Sequence, residues 1–165
     1  MAEQRLPMVE KELETRLAED HHQALRLWLR LLTCTNLISG RIRRRLQKRF
    51  AITLPRFDLL AQLERYPEGL RMSELSKRMM VSTGNITGLT DRLEAEGLVR
   101  RVEDPKDRRA YLVKLTPLGR EVFREMAQVH EAWIKELLGG LSAEEMQDLY
   151  ELLGKLKRSL AGKEE

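Results

Sequence analysis

The spacing of apolar residues predicts a chain built mainly of helices. In the first third of the chain they recur every three or four positions, at Leu27, Leu31, Cys34, Ile38 and Ile42. This period predicts one long amphipathic helix from about residue 20 to residue 49. Residues 1–18 have mixed charge and little apolar pattern, and we expect a loose arm there.

Shorter helices are predicted between residues 53 and 97. Thr53 and Pro55 are typical of a helix start, and the break at 67–69 ends that helix. Ser73 is expected to cap a short helix, and Ser82 or Thr83 the next one after a tight turn. The second of these would bury a face made of Ile86, Leu89 and Leu93. Two helices joined so closely form a helix-turn-helix.

A β-hairpin and two further helices complete the pattern. Leu98–Val102 and Tyr111–Leu115 alternate in polarity and predict two strands, with a charged loop over residues 103–110. Thr116 and Pro117 are typical of a helix start, and this helix is expected to end at Gly139. Ser142 and Glu145 form a capping box for a last helix. Its apolar seam consists of Met146, Leu149, Leu153, Leu156 and Leu160.

These elements predict a mostly α fold with a small two-stranded β wing, that is, a winged helix-turn-helix plus a helical dimerisation region. We expect an N-terminal arm and long dimerisation helix over residues 1–50, a DNA-binding lobe over 51–116 and C-terminal dimerisation helices over 117–165. A narrow apolar seam on a terminal helix needs a partner surface, and a second copy of the chain is the simplest one. The sequence therefore predicts a homodimer.

Charge and composition narrow the class of protein. The net charge is +4, but residues 41–109 hold 17 basic residues against 10 acidic ones, which favours a polyanionic partner such as DNA. The single cysteine excludes an intramolecular disulfide, and the N-terminus lacks a secretory pattern, so we expect a cytoplasmic protein. No apolar run is long enough to span a membrane.

The second helix of the helix-turn-helix is the candidate recognition helix. With its apolar residues turned inward, small and polar side chains face outward. The helix contains Gly84 and Gly88. Each glycine costs about 1 kcal/mol of helix propensity relative to alanine, and an ordinary solvated helix has no reason to carry this cost. A small polar surface suits entry into the major groove. The DNA-contacting residues predicted here are Ser82, Thr83, Gly84, Asn85, Thr87, Gly88, Asp91 and Arg92.

The hairpin loop offers a second set of contacts with DNA. Lys106, Arg108 and Arg109 lie at its predicted tip, where a cationic side chain could enter the minor groove. Asp107 would repel phosphate if it pointed outward. We therefore expect Asp107 to pair with Arg109 or another nearby cation and to stabilise the loop. The alternative is an ordinary solvated turn.

The hairpin and its flanks resemble the multiple-antibiotic-resistance regulator (MarR) family. Residues 104–110 and 113–119 are similar to that family's wing and following helix start, and residues 94–101 to the link between recognition helix and wing. Helix order and length agree over roughly residues 20–160. The resemblance implies an obligate dimer with two winged helix-turn-helix lobes, bound to a pseudo-palindromic operator.

The same resemblance implies a small-molecule effector, bound where the dimerisation helices meet each lobe. Residues 31–36 and 53–58 look most like members tied to aromatic-acid catabolism, some of which answer to aryl-coenzyme A thioesters. A repressor released by such a ligand is the function it implies. Arginines 41 and 43–45 could serve ligand phosphates, or could face DNA or water. The pocket residues expected are Trp28, Arg41, Arg43, Arg56 and Phe57.

Two alternatives remain, and a third class is excluded. A redox-sensing regulator would use Cys34, although its place on the apolar stripe predicts burial. A helical, dimeric adaptor without DNA binding would leave the recognition-helix glycines and the wing arginines unexplained. An enzyme is not expected, because His21, His22 and His130 show no metal-ligand spacing and no nucleophile–base set or glycine-rich phosphate loop is visible. We expect no cofactor, and place His130 on the edge of a polar helix face.

Overall fold

The computed structural model describes residues 22–162, so the predicted arm and His21 lie outside the described residues. The chain separates into two compact units, one ending at Leu54 and the other beginning at Pro55. Six helices and three strands are described. In chain order they are α1 (Gln23–Phe50), α2 (Leu54–Arg65), β1 (Leu70–Arg71), α3 (Met72–Met79), α4 (Thr83–Ala95), β2 (Val99–Asp104), β3 (Asp107–Leu115), α5 (Pro117–Leu137) and α6 (Ala143–Ala161).

Helix α1 has the length that the apolar period predicts, but its apolar stripe is only partly covered. Ile42 and Leu46 are buried, whereas Leu27 is 57% exposed. Cys34 is exposed as well, so the expectation that it is buried is wrong for this single chain. The reason is physical: periodicity identifies an apolar face, but it does not say whether the same chain covers that face.

The core of the second unit includes Ile86 and Leu93, two of the three residues predicted to face inward from α4, whereas Leu89 is half-buried. Helices α3 and α4 pack together, α4 packs on β2, and α5 packs on β3. Fully or almost fully buried side chains come from α2, α3, α4, β2 and β3, namely Leu59, Leu60, Leu63, Leu75, Ile86, Leu93, Val99 and Val113. This core supports the helix-turn-helix and the hairpin from one side. None of the described helices is long and apolar enough to cross a membrane.

The sheet has three strands rather than two, in the order β1-β3-β2, all antiparallel. Strand β1 pairs Leu70 with Val113 and Arg71 with Leu112. This pairing keeps the chain extended up to Arg71, which is therefore the N-cap of α3. The prediction that Ser73 caps this helix is wrong, because Ser73 already lies inside its first turn.

The hairpin is longer than predicted. Its strands extend into the charged segment until Asp104 pairs with Asp107, with an irregularity between Glu103 and Asp104. The loop predicted over residues 103–110 is thus reduced to a turn at Pro105 and Lys106. The sequence did not predict these strand ends, because their charged residues interrupt the apolar alternation. Charged residues are tolerated there since one edge of the hairpin is exposed to solvent. We call β2, β3 and this turn the wing.

Cap hydrogen bonds confirm the predicted starts of α5 and α6. The hydroxyl of Thr116 accepts from Gly119 N at 2.9 Å at the start of α5. Ser142 and Glu145 cap α6 reciprocally, at 3.1 and 2.7 Å. No residue of α6 is buried in this chain.

Candidate nucleic-acid interface

Helix α4 begins at the cap that the sequence predicts. The hydroxyl of Ser82 accepts a hydrogen bond from Asn85 N at 3.3 Å. Ile86 and Leu93 are completely buried on the inner face. Thr90, which the sequence analysis did not assign, is also completely buried, and its hydroxyl donates to Ile86 O at 2.7 Å. These contacts fix which face of α4 is left for a partner.

The outward face of α4 is exposed, as the sequence predicts. All eight residues assigned to DNA contact, from Ser82 to Arg92, are exposed. A Cβ added at Gly84 or Gly88 would meet no atom within 4 Å. The fold therefore has no steric need for these two glycines, which leaves their small size to serve something outside the chain.

Gly119 shows what a structurally required glycine looks like in the same molecule. A Cβ there would lie 1.9 Å from Leu98 O. The start of α5 thus approaches the backbone before β2 too closely for any side chain. The contrast supports a binding role for the α4 glycines.

A salt bridge fastens the end of α4 to the wing. The guanidinium of Arg101, on β2, pairs with Asp91 and Glu94 of α4. These carboxylates raise the pKa of Arg101, the hydrogen bond to Asp91 being the main cause. Asp91 was assigned to DNA contact, and here its carboxylate holds α4 against β2. A contact between Asp91 and DNA stays a prediction.

The turn of the wing is organised by two carboxylates. Asp104 is 5% exposed and accepts from Lys106 N at 2.9 Å and from Arg71 Nε at 2.7 Å. Asp107 accepts from Arg109 N at 3.0 Å, and its other oxygen lies 3.9 Å from Arg71 Nη2. The hydrogen bond from the Lys106 backbone, followed by the one from the Arg71 side chain, lowers the pKa of Asp104.

Asp107 therefore has the kind of contact expected of it, but it is not the principal anchor. It binds the backbone of Arg109 rather than its side chain, and the buried carboxylate belongs to Asp104. Sequence reasoning missed both Asp104 and Arg71. The available signal was the Asp104-Pro105 pair, since aspartate before a turn commonly accepts backbone N–H groups.

The three cations at the turn of the wing are exposed, namely Lys106, Arg108 and Arg109. Within residues 22–162, their side chains have no ion pair with a carboxylate in the structure. An exposed recognition face and a cationic turn are thus both available to a polyanion.

The residues assigned to an effector pocket fall in both units. Trp28, Arg41 and Arg43 lie exposed on α1. Arg56 and Phe57 are buried in α2, where Arg56 pairs with Glu96 and the Phe57 ring lies 5.5 Å from Phe123 and 4.7 Å from His130. Arg56 and Phe57 thus already have roles within the fold. Their contact with a ligand stays a prediction.

His130, expected on the edge of a polar helix face, is half-buried on α5. Its ring contacts Phe57, and burial lowers its pKa. This edge of α5 therefore faces α2, a contact that the sequence did not predict. His22 is exposed at the start of α1. The described part of the chain holds no cluster of three or more His, Cys, Asp or Glu that could bind a metal.

Comparisons with known proteins identify relatives over most of the chain. A model of the MarR family matches residues 52–111, from α2 into the wing. The transcriptional activatory protein BadR of Rhodopseudomonas palustris is 32% identical over 160 residues, which cover 92% of this chain and 91% of BadR.

Solved structures show the same similarity. AbsC, a MarR family transcriptional regulator from Streptomyces coelicolor, matches with a TM-score of 0.75 at 27% identity, covering 88% of this chain and 97% of AbsC. A mutant of MarR from E. coli complexed with operator DNA matches with a TM-score of 0.72 at 27% identity, covering 84% of this chain and 99% of that one.

Proposed function

Since this chain belongs to the MarR family of DNA-binding transcriptional regulators, we propose that it binds a pseudo-palindromic operator as a homodimer. In each protomer α4 enters the major groove and the turn of the wing enters the neighbouring minor groove. Members of this family are regulators and not enzymes.

The main support for this proposal comes from Gly84 and Gly88 of α4, where the fold leaves room for a side chain. Two glycines four residues apart cost helix stability, and the surroundings of Gly84 and Gly88 offer no steric compensation. A backbone without side chains can approach base edges and phosphates closely. Thr87 and Asn85 supply polar groups next to these two glycines on the exposed face of α4.

The wing supplies the second contact. Arg109 is exposed while its own backbone N–H is held by Asp107 at 3.0 Å, which fixes where the side chain starts. A narrow minor groove has an enhanced negative potential that attracts arginine. We assign Arg109 and Lys106 to this groove or to its flanking phosphates.

A homodimer is supported by the apolar residues that the single chain leaves uncovered. Leu149, Leu153 and Leu156 are each about 40% exposed on α6. Soluble chains rarely expose contiguous apolar stripes of this kind unless a partner covers them. A two-fold partner would also present two recognition helices to one duplex.

The proposed effector is an aromatic carboxylate or its coenzyme A thioester, and its binding would release a repressed promoter. This proposal rests on the resemblance of residues 31–36 and 53–58. Thermal melting with such compounds tests it, because a ligand that binds only the folded protein raises the midpoint. Transcription from an operator-bearing template should fall when the protein is added, whereas a rise would show activation, as the name of BadR describes.

Replacement of Arg109 by alanine tests the wing assignment. We expect Arg109→Ala to weaken binding to the chain's own upstream DNA by at least about 1 kcal/mol, roughly fivefold in dissociation constant. Fluorescence anisotropy with labelled duplex measures this. Arg158→Ala, which removes an exposed cation of α6, is the matched control and should bind as the parent does. Equal affinity of Arg109→Ala and the parent would remove the wing from the interface.

A further inference from the structure

We propose that Arg71 and Asp104 are positioning residues for DNA binding, which act by holding the turn of the wing. Neither needs to contact DNA. The inference rests on the proposed function, because it assumes that the wing binds the duplex. It adds two residues from outside the assigned interface, one of them on a strand that the sequence did not reveal.

Capping does not explain an arginine at position 71. Arg71 is the N-cap of α3, with φ −68° and ψ 153°, where Ser, Thr, Asp and Asn are favoured because their oxygens accept free N–H groups. A guanidinium has no acceptor. Only the return half of a capping box is present, in which Glu74 Oε2 accepts from Arg71 N at 2.8 Å. The side chain of Arg71 is used elsewhere.

That side chain extends to the wing, 33 residues away in sequence. Its Nε donates to Asp104 Oδ2 at 2.7 Å, and Nη2 lies near both Asp104 and Asp107. The hydrogen bond to Asp104 is the main cause that raises the pKa of Arg71. The planar, forked guanidinium fits such a pair of acceptors better than an ammonium would.

Each carboxylate therefore links Arg71 to the backbone of one DNA-facing cation. Asp104 joins it to Lys106 N, and Asp107 joins it to Arg109 N. Because β1 carries Arg71 directly into α3, the turn of the wing is fixed relative to the helix-turn-helix. The two DNA-binding surfaces then have a defined spacing before DNA arrives, which lowers the entropic cost of binding.

An effect of charge alone and a positioning role predict different changes in DNA affinity for variants of Arg71 and Asp104. Asp104→Asn removes a negative charge near phosphates and by simple electrostatics should tighten DNA binding, whereas Arg71→Gln should weaken it. If the two residues position the wing, both variants weaken binding despite their opposite effects on net charge. Arg71→Lys keeps the charge but loses the fork, and should resemble Arg71→Gln.

The experiment is a set of operator titrations at several salt concentrations. We expect Asp104→Asn and Arg71→Gln each to weaken binding about fivefold, and the double variant to be no weaker than the worse single one, since one interaction is removed in each case. The slope of log affinity against log salt should flatten by about 0.9 for each phosphate contact that is lost.

A second background separates positioning from a merely structural role. In a chain that carries Lys106→Ala, Arg108→Ala and Arg109→Ala, the wing has no cation left to position, so Asp104→Asn should no longer weaken binding. A structural role in α3 would persist there. Thermal melting of every variant checks folding, and Asp107→Asn, at a more exposed carboxylate, replaces Asp104→Asn if that variant does not fold.

The outcomes distinguish this inference from the function on which it rests. If the parent does not bind operator DNA, or if Arg109→Ala binds equally well, the proposed function fails. If Arg109→Ala weakens binding while Asp104→Asn tightens it or leaves it unchanged, only the positioning role of Arg71 and Asp104 is refuted. Strictly additive effects of the two single variants would refute it as well.

Discussion

Three glycines show how differently one residue type can be used. Gly84 and Gly88 have open space where a side chain would begin, whereas Gly119 has a carbonyl oxygen there. The sequence alone flags the first two, because they lie inside a predicted helix at a cost. It does not flag the third, whose requirement arises from a backbone approach between separate elements.

This difference predicts opposite effects of alanine. Gly88→Ala should stabilise the fold by about 1 kcal/mol, since alanine favours helix and meets no neighbour, and it should weaken operator binding. Urea unfolding and anisotropy titration measure the two effects. Gly119→Ala is the contrasting control and should destabilise the chain strongly. A Gly88→Ala protein that binds the operator as tightly as the parent would show that α4 does not approach DNA at this glycine.

Pairing between distant residues limits what sequence can predict at this scale. The exposure of the α4 face follows from a period of 3.6 residues and was predicted. The contact between Arg71 and Asp104 joins β1 to the wing turn, and no local pattern specifies it. For the same reason, Asp107 was assigned the part that Asp104 holds.

Helix starts can be predicted from local signals, whereas a strand that exists only through pairing cannot. The beginnings of α4, α5 and α6 follow from cap residues that need only their own neighbours. Strand β1 has two residues and no period of its own, since it exists only through its pairing with β3. Because β1 was not predicted, the cap of α3 was expected at Ser73 instead of Arg71.

The packing of α2 on α5 predicts a pH dependence of stability. Burial lowers the pKa of His130 in the folded chain, so the folded state binds fewer protons than the unfolded state. The free energy of unfolding should therefore be constant above about pH 7 and fall as the pH drops through about 6.5, the ordinary histidine value. Urea unfolding between pH 7.5 and 5.5 measures this loss.

Variants at two histidines make that measurement specific. His130→Gln cannot be protonated, so it should lose less stability on acidification than the parent does. His22→Gln, at an exposed position on α1, should behave as the parent. A parent and a His130→Gln variant with the same pH profile would assign the acid sensitivity to other groups.

The described part of the chain leaves apolar surface on α1 and α6 uncovered. The seam of α6 and part of the apolar stripe on α1 are exposed in one chain. Sequence periodicity predicts both surfaces, yet it does not say how much of each the chain itself covers. That limit also explains why Cys34, expected to be buried, is exposed in this single chain.

A charge placed in the α6 seam tests the proposed dimer. Leu153→Glu should shift the protein from dimer to monomer, because an unpaired carboxylate cannot be buried against an apolar partner without a large cost. Operator affinity should fall with it. Sedimentation equilibrium gives the mass. Lys155→Glu, off the apolar face, is the control and should remain dimeric. A Leu153→Glu protein that stays dimeric would place the interface elsewhere.

The junction between α5 and the segment that precedes β2 leaves no free space at one end of a long helix. The hydroxyl of Thr116 donates to Gly97 O at 2.6 Å, and a Cβ added at Gly119 would lie 1.9 Å from Leu98 O. Helix α5 has 21 residues and is about 30 Å long. Its first turn is therefore anchored to the backbone that connects α4 to the wing.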